Sequence, residues 1–315
     1  MNPALPQRPL GRTGLRIPAL ALGTVELGMD YGIAAAGDHR RPDEASAARL
    51  LNRALDLGVT FIDTARGYGE AEGVIGRAIG HRRAEFVLAS KVATPAALRG
   101  PALAAHVAQE LETSLRTLGT DCIDLVYSHT ATVEEITRGE VFEALSAARR
   151  AGKLRAIGAS TYGSDAPRAA IAQGGYDCIQ VAYNLLDRTL DAEVLPAARA
   201  AGIGVVARSV LLKGVLTHRA AHLPPALAPL REAATRAAAI GQAAGIHSLP
   251  ELAYRFALAN PALSAALIGT AHLDELETCV RYAHAAPLDA GTLTRLDGVA
   301  ISDLDLLNPG KWPAF

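Results

Sequence analysis

The sequence predicts an α/β chain closed into a (β/α)8 TIM barrel with an N-terminal β-hairpin and extra helices. Three observations carry this. Eight short apolar runs recur along the chain, a longer segment of helical period separates each from the next, and several of those segments end in Gly. Strands that alternate with helices form a parallel sheet, because parallel neighbours need a crossover. Eight such units within 315 residues favour a closed barrel over an open doubly wound sheet.

In chain order, RPLGRTGLRIP (8–18) reads as a hairpin turning at GRTG, placed to plug the barrel bottom. The strands fall at 19–22, 59–63, 86–90, 122–127, 154–158, 178–182, 204–207 and 265–268. Between them lie Ala-, Leu- and Arg-rich helices such as EASAARLLNRALDLG, LAAHVAQELETSLRTLG and DAEVLPAARAAG, whose closing Gly is a favoured left-handed stop. Residues 27–43 read as a long first loop. Residues 217–244 add a proline-rich stretch, HLPPALAPL, and an additional helix between the last two strands. With no fixed-period repeat and no linker composition, one domain over 1–315 is expected.

Composition narrows the function. The chain has 31 basic and 32 acidic residues and is 50% hydrophobic. Near-zero net charge argues against nucleic acid or an anionic membrane as partner. The 9 histidines show no metal spacing, and Cys122, Cys178 and Cys279 are too few and too scattered for a disulfide framework or a zinc site. MNPALPQRPLGRTG lacks the apolar run of a signal peptide, and no segment approaches the ~20 apolar residues of a membrane span. A reduced, cytoplasmic protein that acts on a small molecule, without metal, is expected.

In barrels of this kind the working residues gather at the carboxyl ends of the strands. Here those positions hold Gly23 and Thr24, Asp63, Lys91, His129, Ser160 and Thr161, Gln180 with Asn184, Arg208 and Ser209, and Gly269 and Thr270. The stretch FIDTARGYGE (61–70) is the most informative. Its GYGEAEG is one residue too long for a GxGxxG phosphate loop, and that reading leaves Asp63 and Tyr68 idle. A tyrosine is a poor acid at neutral pH unless a cation stabilises its phenolate. Lys91 offers that cation, Asp63 offers to hold it, and His129 offers a hydrogen bond to a carbonyl oxygen. Together they would polarise a carbonyl and protonate the alkoxide formed when hydride arrives. None of the four carries electrons, so the hydride comes from a cofactor.

DTARGYG (63–69), SKV (90–92), DLVYSH (124–129) and GKLRAIGAS (152–160) resemble the motifs of the aldo-keto reductases, and the resemblance runs from GRTGL at Gly11 to LLNPGKW near the C-terminus. It implies a (β/α)8 barrel that uses NADP(H) or NAD(H) without a separate dinucleotide-binding domain and without a metal. It implies Tyr68 as general acid, Lys91 as the group that lowers its pKa, Asp63 as partner of Lys91, and His129 as the residue that orients the carbonyl. The expected reaction interconverts an aldehyde, ketone or sugar carbonyl with its alcohol. Two other readings stand beside it. One is a nucleotide-sensing regulatory protein of the same fold, and the other is a lyase using Lys91 as a Schiff-base amine.

The same resemblance sets the cofactor contacts. Ser160 and Gln180 occupy the nicotinamide carboxamide positions, with Thr161 where an Asn is usual. ARSVLLKG (207–214) is similar to the pyrophosphate loop and brings in Ser209, Val210, Leu211 and Gly214. Arg208 stands where an aromatic often stacks on nicotinamide; a fixed cation there repels the oxidised ring, so the reduced cofactor is expected to be favoured. Gly23, Thr24 and Asp63 line the same end. IGTAHLDELETC (268–279) is similar to the segment that grips the adenosine phosphate, implicating Gly269, Thr270, His272, Glu275 and Cys279. Ala271 and Glu275 replace the usual basic or amide residues, so weak discrimination for NADP(H) and use of NAD(H) are expected. Tyr31 and Trp312 are candidate pocket caps, though ordinary loop packing is the favoured account of both. Val25 predicts a roomier pocket, and His218 and His222 read as solvated.

Overall fold

A computed structural model describes residues 4–33 and 41–313. Strands β1 (Gln7–Pro9) and β2 (Arg16–Pro18) pair antiparallel, with Arg8 opposite Ile17. At their turn Gly11 takes φ +53°, and a Cβ there would stand 2.2 Å from the Gly204 nitrogen, so only glycine lets the hairpin seat this closely. Leu10 and Ile17 of the hairpin join Ala21, Phe61, Ala89, Leu125 and Val206 in one buried cluster inside the barrel. The hairpin therefore plugs the amino-terminal end, as its apolar positions predict.

Eight parallel strands close the barrel: β3 (Leu20–Gly23), β4 (Phe61–Asp63), β5 (Val87–Val92), β6 (Ile123–Ser128), β7 (Leu154–Ser160), β8 (Cys178–Ala182), β9 (Gly204–Arg208) and β10 (Ala265–Gly269). Each pairs with its sequence neighbours, and β10 closes on β3. The expected strands coincide with these, except that most run one or two residues further. Lys91, Ser160, Arg208, Gly23 and Gly269 are thus strand residues rather than residues that follow strands. The ladder hydrogen bonds are made by the backbone, so they continue past the last apolar side chain.

The surrounding helices are amphipathic. Helix Glu44–Asp56 buries Ala47, Leu50, Leu51, Ala54 and Leu55, and its N-cap Asp43 accepts from the Ser46 nitrogen. Helix Gly100–Leu118 buries Leu103, Val107, Leu111 and Leu115 and stops at Gly119, φ +67°. The additional helix expected before the last strand is Ala228–Ala243, and Leu249–Ala259 follows it as the crossover to β10. The first loop is shorter than expected, since Val25–Gly28 forms a helical turn. Residues 34–40 of that loop lie outside the described residues. Among the described residues no helix is long and apolar enough to cross a membrane, and no cluster could hold a metal ion. All three cysteines are free.

Candidate active site

The floor of the site comes from adjacent strand ends. Asp63 and Lys91 are each 1% exposed, and Lys91 Nζ donates to Asp63 Oδ1 at 2.5 Å and to the Thr64 carbonyl at 2.8 Å. Gln180 Nε2 donates to the other carboxylate oxygen, Oδ2, at 2.7 Å, and Ser160 Oγ donates to Gln180 Oε1 at 3.4 Å. A buried ion pair is tolerated only when such bonds satisfy its remaining valences. Burial works to depress the Lys91 pKa, but the charge of Asp63, then that of Tyr68, with hydrogen bonds to both, outweighs it and raises it. Beneath, the Tyr127 ring lies 5.9 Å from the ammonium. Gly158 makes room for that ring, since a Cβ there would stand 2.4 Å from it.

Tyr68 is carried on a turn between β4 and helix Ala71–Ile79, its nitrogen donating to the Ala65 carbonyl at 3.0 Å. The glycines flanking it are steric. Gly69 takes φ +54°, and a Cβ there would stand 2.4 Å from the Gly28 carbonyl, whereas Gly67 leaves space beside the His129 ring. Lys91 Nζ sits 4.8 Å from the Tyr68 ring centroid, and His129 meets the same ring edge-on at 5.7 Å. Burial, with the positive charges of Lys91 and Arg208, pulls His129 down to about 4, so its imidazole is neutral at ordinary pH.

These groups open into a cavity of about 390 Å³, within the range of small-molecule sites. Asp63, Tyr68 and His129 line it, and Lys91 lies buried beneath rather than on its wall. Gly23, Thr24, Ser160, Gln180, Arg208, Ser209, Val210, Leu211, Gly214, Gly269, Thr270, Glu275 and Cys279 line it as well. His272 does not: it is an exposed N-cap of helix Leu273–Ala283. Of the candidate caps, Tyr31 lines the cavity. Trp312 does not; it donates Nε1 to the Leu306 carbonyl and lies 6.0 Å from Lys213 Nζ. Val25 lines the wall, and exposed His218 reaches it while His222 does not. Arg208 is braced by the Thr161 carbonyl (2.8 Å) and lies 3.9 Å from the centroid of the Tyr162 ring.

Sequence reasoning missed Glu26, Tyr162, Lys213, Arg219, Tyr254 and Tyr282, all on the cavity wall. Lys213 was within reach, since it belongs to the stretch 207–214. Tyr254 and Tyr282 sit on helices whose apolar spacing reads as ordinary core. Three described non-glycine residues on this wall take left-handed backbones, Thr130 (φ 59°), Ser209 (φ 59°) and Lys213 (φ 56°). Asn184 steadies the second, its Nδ2 donating to the Ser209 carbonyl at 3.1 Å.

The wall divides chemically. Tyr68 and His129 stand together at one end, Lys213 and Arg219 bring cations from the segment after β9, and Pro250, Tyr254 and Tyr282 add an apolar aromatic part of the wall. Those are the three environments that a nicotinamide, a diphosphate and an adenine need, so the residues present fit a dinucleotide. Gly269 lies beside Glu26, since a Cβ on it would stand in ordinary contact with Glu26 Oε1 at 3.6 Å.

Comparison with known proteins gives the family. The profile of the Aldo/keto reductase family matches residues 19–301. The uncharacterized oxidoreductase YrpG of Bacillus subtilis is 33% identical, over 92% of this chain and 94% of its own. L-galactose dehydrogenase of Arabidopsis thaliana is 27% identical, over 98% and 97%. Among solved structures, the holo form of the aldo-keto reductase AKR11C1 from Bacillus halodurans superposes with a TM-score of 0.79 at 25% identity, covering 95% of this chain and 97% of that one. The chain belongs to the aldo/keto reductase family of oxidoreductases.

Proposed function

We propose that the protein is an NAD(P)(H)-dependent oxidoreductase that interconverts a carbonyl on an aldehyde, ketone or sugar with the corresponding alcohol. The observation that carries the reading is the convergence of Tyr68 and His129 on one end of the cavity, with the Lys91–Asp63 pair directly beneath the phenol. A nicotinamide dinucleotide, held by residues of this wall, would supply the hydride. Tyr68 gives its hydroxyl proton to the substrate oxygen, and the ammonium below stabilises the negative charge left on the phenol. His129, neutral, donates N–H to the same oxygen and fixes its direction. In the reverse direction the phenolate of Tyr68 takes the proton back from the alcohol. Ser160 and Gln180, linked to each other and to Asp63, are the residues that would hold a nicotinamide ring at this floor. The dehydrogenase named for L-galactose among the relatives supports a sugar as one substrate class.

Lys91 speaks against the Schiff-base reading. Its amine is charged, 1% exposed and spent on Asp63 and Thr64, so no substrate carbonyl reaches it. The completeness of the acid and its supports favours an enzyme over a sensor that only binds nucleotide. The decisive test compares wild type with Tyr68→Phe on a panel of aldehydes, ketoses, aldoses and small alcohols, with both nucleotides in both directions. Turnover is expected to fall at least ~100-fold while nucleotide affinity stays nearly unchanged. A Tyr68→Phe variant with wild-type rates would remove Tyr68 from the mechanism.

A further inference from the structure

Glu72 is a carboxylate that the chemistry above leaves unused, yet it is only 1% exposed. It lies in the first turn of helix Ala71–Ile79, four residues after Tyr68. Both of its oxygens are engaged. Oε1 accepts from Ser90 Oγ at 2.7 Å, and Oε2 pairs with Arg66 Nη1 at 3.5 Å. Ser90 immediately precedes Lys91 on β5. Side chains alternate along a strand, so Lys91 faces Asp63 inside the barrel while Ser90 faces the helix outside. Arg66 stands two residues before Tyr68, and its backbone nitrogen donates to the Lys91 carbonyl at 3.2 Å. Earlier in the same turn, the Thr64 nitrogen donates to the Ala89 carbonyl at 2.9 Å. Tyr68 is therefore bracketed. Backbone bonds tie the chain before it to β5, and Glu72 ties the chain after it to the same strand. A buried carboxylate costs stability that an apolar side chain in its place would not, so packing alone does not account for a charge here.

We propose that Glu72 is a positioning residue for the proton-transfer step: by holding Ser90 and Arg66 it fixes the turn that carries Tyr68 against the strand that carries Lys91, and so sets the separation of phenol and ammonium. The inference rests on the reading of Tyr68 as the acid. Glu72, Ser90 and Arg66 do not line the cavity, so they act through the backbone rather than on a bound molecule. The attraction of the ammonium for a phenolate falls with distance. A turn released from β5 on its helix side lets the phenol drift from the amine, although both side chains are still present.

Kinetics of the full chain in the reducing direction test this, across a range of pH at saturating nucleotide, with an aldehyde that wild type turns over in the panel above. Glu72→Ala is expected to lower kcat by about 10- to 100-fold, with KM changed by less than about threefold. The alkaline limb of its kcat profile, where the acid loses its proton, should move up by about one pH unit. Removal of a negative charge would by itself move that limb down, so the direction separates displacement from electrostatics. His129 and Tyr31, the other titratable groups beside Tyr68, are the same in both proteins. Glu72→Gln keeps an oxygen for Ser90 Oγ and should recover most of the rate. In a Lys91→Met background Glu72→Ala should add less than about threefold, because the ammonium it positions is gone. A limb that stays in place or moves down would overturn the positioning role, as would a full further loss in the Lys91→Met background. So would a lowered unfolding temperature with unchanged kcat. Should Glu72→Ala fail to fold, Ser90→Ala removes only one hydroxyl and is read on the same profile, where an unmoved limb overturns the role equally. Wild-type rates in Tyr68→Phe would instead bring down the acid reading itself.

Discussion

Gln180 Nε2 donates to Asp63 Oδ2 at 2.7 Å across the barrel interior, and its own Oε1 accepts from Ser160 Oγ. A residue expected to face the nicotinamide carboxamide is therefore tied first to the carboxylate that holds Lys91. It couples the two halves of the floor, so a disturbance at Ser160 is passed to the ammonium beneath Tyr68. Gln180→Leu leaves Asp63 Oδ2 buried without this donor, at a cost of about 1–3 kcal/mol. Thermal unfolding should record that loss. Steady-state kinetics at saturating nucleotide should show kcat down about 10-fold, as the ion pair loosens. Unchanged kcat with lowered stability would mean that Gln180 supports the fold alone.

Lys91 and Asp63 allow stability and chemistry to be separated. Lys91→Met strands a carboxylate that is 1% exposed, and removal of one partner from a buried pair costs about 3–5 kcal/mol. Lys91→Met with Asp63→Asn removes the stranded charge and should recover most of that stability. Turnover should recover in neither variant, because the phenol of Tyr68 has lost the cation beneath its ring. Calorimetric unfolding together with kcat settles the matter. A double variant that regains activity along with stability would show that Lys91 is only packing.

The barrel and the reacting end were legible in the sequence because each leaves a local mark. Apolar runs at regular spacing mark the strands, and Asp63, Tyr68, Lys91 and His129 follow successive runs. What escaped detection depends on contacts between distant segments. Gly69 looks like part of a phosphate loop until Gly28, 41 positions earlier, is seen beneath it. Glu26 gives no sign of facing the cavity until β10 closes on β3 and sets it beside Glu275. Asp124, in the same motif as His129, works at the opposite end of β6, taking Arg83 and the Leu88 nitrogen. His272 looked apt by type, but the start of its helix points it outward.

Gly28 gives a purely steric prediction. A Cβ on it would stand 1.8 Å from the Tyr68 carbonyl and 2.6 Å from the Ala71 nitrogen, both backbone atoms that cannot swing aside. Gly28→Ala must therefore move the turn that carries Tyr68. An acid displaced by about 1 Å loses on the order of 100-fold in rate. The expected result is a fall of that size in kcat, measured at saturating nucleotide. Wild-type kcat in Gly28→Ala would show that the turn adapts without shifting the hydroxyl.

The pH dependence of stability should carry the signature of Glu26. Burial first, and then the charge of Glu275, raise its pKa from 4.5 to about 7, with Arg219 opposing. The folded state thus keeps a proton that the unfolded chain releases, and the stability this provides is complete below pH 4.5. It declines as pH rises from 4.5 to about 7 and is absent above. His129 acts in the opposite sense: depressed from 6.5 to about 4, it contributes stability that is present above pH 6.5 and lost as pH falls toward 4. The two slopes partly cancel between pH 4.5 and 6.5, so a profile of wild type alone would mislead. The difference between wild type and Glu26→Gln removes the His129 contribution. That variant should match wild type at pH 4.5 and exceed it at pH 8 by up to about 3 kcal/mol, read as a higher unfolding temperature. A difference that stays flat from pH 4.5 to 8 would show that Glu26 titrates like an ordinary surface carboxylate, leaving the neighbouring wall less enclosed than its contacts with Gly269 and Ala271 require.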